Sequence, residues 1–289
     1  MARPLRIEYK NAFYHITSRG NNLQKIYRSN KDYNSFLATL QEVIREYNWL
    51  CYAWCLMPNH YHLLIETPDA NLSLGMRQLN GIYSQRFNKR HSHVGHVFQG
   101  RFKGILVEKD SHLLELSRYI VLNSVRANIV SRPEQWPWSS YKGMLEKTQK
   151  EYFIKRDWLL LQFGSYSKAA MEVYRQFVLA GINKPDPWGN LKNRIFLGSD
   201  KWIQQVSSKE EIKINCKEIT RQERYFGRPE LKKVFSTLIT KHQRNELIYK
   251  AHKQYGYTFT DIGKCLNIHY SVVSRAFRKQ AGRNAQNKT

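Results

Sequence analysis

The 289-residue sequence predicts an α+β fold followed by a basic, all-helical C-terminal region. Three observations predict it. Up to about residue 130, short aromatic and β-branched runs alternate with apolar stripes at helical spacing. From Pro133 to about Gly198 that regularity breaks on Trp- and Pro-rich connections such as "PEQWPWSSY" and "NKPDPWGN". Helical periodicity then returns in a stretch with no acidic residue after Asp261. The expected divisions are 1–132, a connecting region of unassigned role over 133–215, and a basic helical region over 216–289.

The run "AFYHITSRG" (12–20) is aromatic and β-branched, as strands are, and stops at Gly20. After Asp32, Tyr33, Phe36, Leu37, Leu40, Val43, Ile44 and Tyr47 repeat as one stripe of an amphipathic helix. Two strands, "WLCYAWCLM" (49–57) and "YHLLIETP" (61–68), flank the turn pair Pro58-Asn59 and make a hairpin. A second helix begins near Ser73, with Leu74, Met76, Leu79, Ile82, Tyr83 and Phe87 on its apolar side. The basic loop "RHSHVGHVFQGRFKG" (90–104) leads into the short strand "GILVEKD". Asp110 or Ser111 then caps a third helix, "HLLELSRYIVLNSVRANI". The first six elements of this order follow the ferredoxin-like or split-βαβ plan, an antiparallel sheet with helices on one face. The third helix is expected on the other face.

Near the C-terminus, "HQRNELIYKAHKQYG" reads as a helix closed by Gly256. Thr258 and Asp261 stand three apart, as in a capping box with Asp in place of Glu. "TDIGKCLN", "IHY" and "SVVSRAFRKQ" then read as helix, turn and helix near 258–280. Ile262 and Leu266 are expected to pack inward with Val272 or Val273, and Ser271, Ser274, Arg275 and Arg278 to face outward. In a helix-turn-helix the second helix enters the DNA major groove. A generic helical hairpin is written with the same letters.

Charge narrows the partner. Lys and Arg number 47 against 23 Asp and Glu, a formal net charge of +24. So basic a surface repels itself unless it meets a polyanion, and nucleic acid is the expected one. No apolar run approaches the roughly 18–20 residues that span a bilayer, so no membrane partner is expected. The opening residues lack the apolar core of a secretory signal, and the expected location is the cytoplasm, at the nucleoid. Cys51, Cys55, Cys216 and Cys265 form no CxxC pair and are expected as buried thiols.

His60 and His62 sit at i and i+2 of a strand and therefore share a face. An isolated pair of this kind suits two satisfied histidines as well as two metal ligands. On the third helix, Glu115, Tyr119, Asn123 and Arg126 form a polar stripe beside Leu113, Leu116, Ile120 and Ala127. Tyr119 and Asn123, one turn apart, are spaced to offer a hydroxyl and an amide oxygen to one point. A phenolic oxygen is able to attack phosphorus, and a metal on the phosphate withdraws charge from it.

Taken in order, "AFYHITSRGN", "MPNHYHLLIETP", "FQGRFKG" and "RYIVLNSVRANIV" resemble the REP-associated tyrosine transposases, single-tyrosine HUH enzymes that act on single-stranded DNA. The resemblance covers residues 3–130 or so. It implies that His60 and His62 are the HUH pair, that Tyr119 is the nucleophile, and that Asn123 completes a Mg2+ or Mn2+ site. It implies a 5′-phosphotyrosine intermediate and DNA partners that are single-stranded, hairpin-forming or palindromic repeats. Where the family often carries proline, this chain has Ser124. The tail is similar to the helix-turn-helix of some members. A sequence-specific DNA-binding regulator without strand transfer is the alternative, and monomer or homodimer is left undecided.

Further DNA contacts are expected from Arg19, Arg101 and Lys103, and from Ser271, Ser274, Arg275 and Arg278 in the tail. Phe98 and Phe102 in "FQGRFKG" suit base stacking or the core equally. His91, His93 and His96 read as a DNA-contacting or solvated loop more readily than as metal ligands.

Overall fold

A computed structural model of the chain describes residues 7–146, 153–164, 168–207, 229–236, 240–253 and 255–286. The chain divides into two compact units, one over Arg6–Ile214 and one over Asn215–Thr289 together with Met1–Leu5.

The first unit opens with β1 (Ala12–Arg19), α1 (Asn30–Glu46), β2 (Leu50–Met57), β3 (His60–Thr67), α2 (Leu72–His91), β4 (Lys103–Val107) and α3 (Lys109–Val121). These four strands lie in the order β2-β3-β1-β4, all neighbours antiparallel. That is the split-βαβ arrangement, so the α+β fold expected from the sequence is the fold observed. Alternation along β3 sends Tyr61 toward the first two helices, where it meets the Phe36 ring and donates a hydrogen bond to Asn80. The next residue but two, Leu64, faces the opposite way and joins Phe13 and Ile105 against α3. Leu113, Leu116 and Ile120 of α3 are fully buried there, each stabilising the contact by about 1.5–3 kcal/mol.

Two boundaries differ from expectation. The cap of α3 is Glu108, not Asp110 or Ser111. Backbone pairing explains this: Glu108 N donates to Leu197 O, and its carboxylate accepts from Ser199, so the chain is fixed there and the helix starts at once. The helix also does not run unbroken to Ile129. It ends at Val121, and after Leu122 a short α4 (Asn123–Arg126) follows. Ser124 lies inside α4, fully buried.

The stretch left without a role by the sequence belongs to this same unit. It contributes α5 (Tyr141–Leu145), α6 (Arg156–Leu161), α7 (Lys168–Leu179), β5 (Leu191–Lys192), β6 (Phe196–Leu197) and α8 (Asp200–Ser207). Strand β6 pairs in parallel with β4 and antiparallel with β5, extending the sheet to six strands. Two-residue strands are too short to show a period, which is why the sequence does not announce them. At the opposite edge, Leu56 N donates to Trp138 O, Ser140 N to Trp54 O and Lys155 N to Cys51 O.

The basic loop is tied to the fold. Phe98 and Phe102 are buried, Phe98 against the Tyr61 and Tyr83 rings, so they serve the core and not base stacking. His91 and Arg90 both engage the buried carboxylate of Asp32, which also accepts from the backbone N–H groups of Arg28 and Ser29. Cys51 and Cys55 are buried thiols, Cys265 is partly exposed, and Cys216 lies outside the described residues. Among the described residues no helix is long and apolar enough to cross a membrane.

The second unit contains α9 (Leu231–Val234), α10 (Lys241–Lys253), α11 (Phe259–Leu266) and α12 (Tyr270–Gln286). The capping box is present: Asp261 N donates to Thr258 Oγ1 over 3.0 Å and Thr258 N to Asp261 Oδ2 over 3.1 Å. Ile262 and Val273 are fully buried together with Ile248 and Ala251, while Leu266 is only partly buried. The turn requires glycine at 263, where a Cβ would stand 2.7 Å from Ile268 O. Ser271, Arg275 and Arg278 are exposed on α12 and Ser274 is half-buried.

Burial raises the Asp32 pKa, but hydrogen bonds from His91, Arg90, Arg28 and Ser29 outweigh it and leave the carboxyl below its ordinary value. A depressed carboxyl stabilises above its unfolded pKa of about 3.9 and loses that stabilisation as pH falls through the folded pKa. Asp32→Ala is therefore expected to lower the stability of the first unit by about 3–5 kcal/mol at pH 7. The wild-type advantage should shrink below about pH 4. Chemical denaturation at both pH values measures this.

Candidate active site

The site forms where β3, β1 and α3 meet, on the face that carries the α3 contact. Register sets its rows. Arg19 pairs with His60, and Thr17 pairs with His62 on one side and Lys103 on the other. His60, His62 and the two cations thus share one region of the sheet, a convergence expected only in part from the sequence.

Docking by Leu113, Leu116 and Ile120 turns the other side of α3 to this row. The Tyr119 ring lies 6.3 Å from the His62 ring, nearly perpendicular to it. His60 and His62 are 5.0 Å apart, centre to centre. Asn123 donates its amide N–H to the carbonyls of Tyr119 and Ile120, at 3.0 and 3.2 Å. Its Oδ1 is the atom left over for another partner. His60, Tyr119 and Asn123 line one cavity of about 570 Å³, joined by Met57, Arg126 and Asp186.

His15 and Trp188, which the sequence did not assign to the site, complete it together with Arg126 of the polar stripe. His15 Nε2 lies 2.9 Å from His62 Nδ1, both rings buried. The His15 ring is stacked between His62 at 5.2 Å and Trp188 at 5.0 Å. Trp188 also meets Tyr119 edge-on at 5.2 Å. Arg126 places its guanidinium carbon 5.2 Å from the centre of the Tyr119 ring. His15 stands in the quoted strand, but only the pairing of β1 with β3 shows that it reaches His62. Trp188 comes from "NKPDPWGN", 69 residues beyond Tyr119, and no local pattern links the two.

The electrostatics suit neutral imidazoles. Burial, reinforced by Arg19, lowers the His60 pKa to about 4. Burial and Lys103 lower that of His15 to about 3. Burial, then His15 and His60, hold His62 well below its ordinary value. When His62 Nδ1–H donates to His15, its Nε2 keeps a lone pair, and that buried nitrogen has no hydrogen-bond partner in the structure. An unprotonated, unpartnered nitrogen on His62, with a spare amide oxygen on Asn123 in the neighbouring cavity, fits a divalent cation. Among the described residues no group of three His, Cys, Asp or Glu is placed to hold a metal. A cation here would rest on two imidazoles and an amide. Burial raises the Tyr119 pKa, opposed by Trp188, further raised by Asp186 and lowered by Arg126. The phenol is protonated at neutral pH.

A comparison of the sequence with protein families matches residues 8–123 to the model described as "Transposase IS200 like". Residues 8–123 are similar to that family, one of transposases, enzymes that act on DNA. A candidate REP-associated tyrosine transposase of Haemophilus influenzae is 26% identical over 136 residues, spanning 43% of this chain and 75% of its own length. A solved REP-associated tyrosine transposase bound to a REP hairpin gives a TM-score of 0.44 at 19% identity, over 55% of this chain and 91% of that one. The IS200-like match ends at Asn123, so it takes in Tyr119 but not Arg126 or Trp188.

The expected DNA-contact residues are distributed. Arg19 and Lys103 stand beside the histidines. Arg101 is exposed in the loop before β4 and is not among the cavity's lining residues. Ser271, Ser274, Arg275 and Arg278 are on α12 of the second unit.

Buried neutral histidines impose an acid sensitivity. The unfolded chain takes up protons near pH 6.5 that folded His15 and His60 refuse until about pH 3 and 4, so stability falls as pH drops through that window. The melting temperature of the first unit should decrease between pH 6.5 and 4, and His15→Phe should make the decrease shallower.

Proposed function

We propose that the first unit cleaves and rejoins single-stranded, hairpin-forming DNA through a covalent bond to Tyr119. The carrying observation is the convergence of Tyr119 with His60 and Asn123 on one cavity, beside the His62 ring. The Tyr119 oxygen attacks a phosphodiester, forming a P–O bond to the phenol while the bond to the 3′-oxygen breaks. The 3′-oxygen takes up a proton in place of the one the phenol gives up and leaves as a hydroxyl, and the 5′-phosphate stays on the tyrosine. Attack by a 3′-hydroxyl on that phosphotyrosine reverses the bonds and joins strands without an outside energy source.

His60, His62 and Asn123 would hold a Mg2+ or Mn2+ ion, which supplies charge withdrawal from the scissile phosphate when bound. His15 orients His62 by its hydrogen bond and the stack on Trp188. Arg19 and Lys103 place positive charge along the strand's path. The exposed Ser271, Arg275 and Arg278 of α12, with half-buried Ser274, favour a second contribution: the C-terminal unit docks on duplex DNA as a helix-turn-helix. That unit acting alone would make the protein a regulator.

A trapping experiment separates the two. The full chain is incubated with labelled hairpin oligonucleotides and Mg2+ or Mn2+, denatured and resolved by size. A denaturation-resistant adduct is expected for the wild type with metal. It should be abolished in Tyr119→Phe and in the His60→Ala, His62→Ala double variant. Tight binding without adduct, on several hairpins and with both metals, would leave only the regulator.

A further inference from the structure

The cavity facing Tyr119 is lined on one side by Ile182, Asn183 and Asp186, beyond the reach of the family match. Arg126 closes α4, just past the break at Leu122, and is brought to the same cavity as Tyr119. Its guanidinium overlooks the phenol ring, donates to Lys184 O over 2.9 Å and forms an ion pair with Asp186. Arg126 and Asp186 both line the cavity with His60, Tyr119 and Asn123. Asp186 is flanked by Pro185 and Pro187, and its backbone is extended at φ −66° and ψ 145°. A residue before proline is restricted to such conformations, so the carboxylate is offered from a stiff support.

A carboxylate and a phosphodiester present the same thing to a guanidinium: two oxygens sharing one negative charge. We propose that Arg126 is a phosphate-binding residue of the Tyr119 cavity, and that Asp186 occupies its guanidinium until a DNA phosphate displaces it. The ligand class, a single-stranded phosphodiester, rests on the function proposed above. Exchange is feasible because the pair is partly exposed, with Arg126 at 23% and Asp186 at 53% side-chain accessibility. Ion pairs at that exposure are weak. The arrangement also places a selective element outside the family match, since a neutral strand would not displace the carboxylate.

The test measures binding without divalent metal, so no cleavage intervenes. The full-length wild type, Asp186→Asn, Arg126→Gln and the double variant are titrated against a labelled hairpin with a single-stranded flank. Fluorescence anisotropy reports binding, with unlabelled duplex present at saturation to occupy α12. Asp186→Asn is expected to tighten binding about fivefold, the scale of a partly exposed ion pair. Arg126→Gln should weaken it and lower the salt slope by about 0.7, one single-strand phosphate contact. In the Arg126→Gln background, Asp186→Asn should change nothing. Equal tightening by Asp186→Asn in both backgrounds would mean a general charge effect and overturn the proposal, as would an unchanged salt slope in Arg126→Gln. An adduct in the trapping experiment without this coupling leaves strand transfer standing and removes the Arg126 site. Coupling without an adduct does the reverse.

Discussion

The contact between α3 and the sheet is the constraint on which the rest depends. Leu113, Leu116 and Ile120 are fully buried against Phe13, Leu64 and Ile105. Three fixed points on one helix leave it no freedom to rotate or slide. The polar side of that helix is thereby aimed at the histidine row, and Tyr119 meets His62 without a dedicated loop to carry it. Sites built on docked helices and strands hold their geometry better than sites on loops. The same contact dries the sheet face, which keeps three imidazoles neutral.

The surroundings of Tyr119 come from two sources with different rules. β1 and β3 supply His15, His60 and His62 through strand register, a repeating and rigid relation. The segment after α7 supplies Trp188 and Asp186 through a single traverse between prolines. Their influences on the Tyr119 hydroxyl oppose each other: the indole and Arg126 favour the phenolate, the carboxylate disfavours it. Burial outweighs them all and leaves the Tyr119 pKa above its ordinary value.

Much of the fold was readable because period-2 and period-3.6 patterns are local. His60 with His62 follows from spacing within one strand, and Tyr119 with Asn123 from a one-turn spacing that survives the break between α3 and α4. What stayed hidden required partners across the chain. His15 was visible as a letter in a strand, but its role depends on which strand lies beside it. Trp188 and Asp186 sat in a stretch whose prolines erase periodicity. β5 and β6 are too short to have any. The start of α3 moved from Asp110 to Glu108 because β6 holds the chain there, and Phe98 and Phe102 turned inward for want of any sequence cue to their direction.

The closure of both sheet edges has a consequence for solubility. Backbone groups of β2 are met by residues 138–140 and 155, and the other side ends in the two-residue β5. An unpaired strand edge is a template for another chain, and short or covered edges are how folded proteins avoid sticking strand to strand. Residues 133–207 therefore do more than wall the cavity. A fragment ending at 132 would keep His15, His60, His62 and Tyr119, yet present β2 and β4 bare. It would be prone to assemble into fibrous aggregates at concentrations where the whole chain stays dispersed.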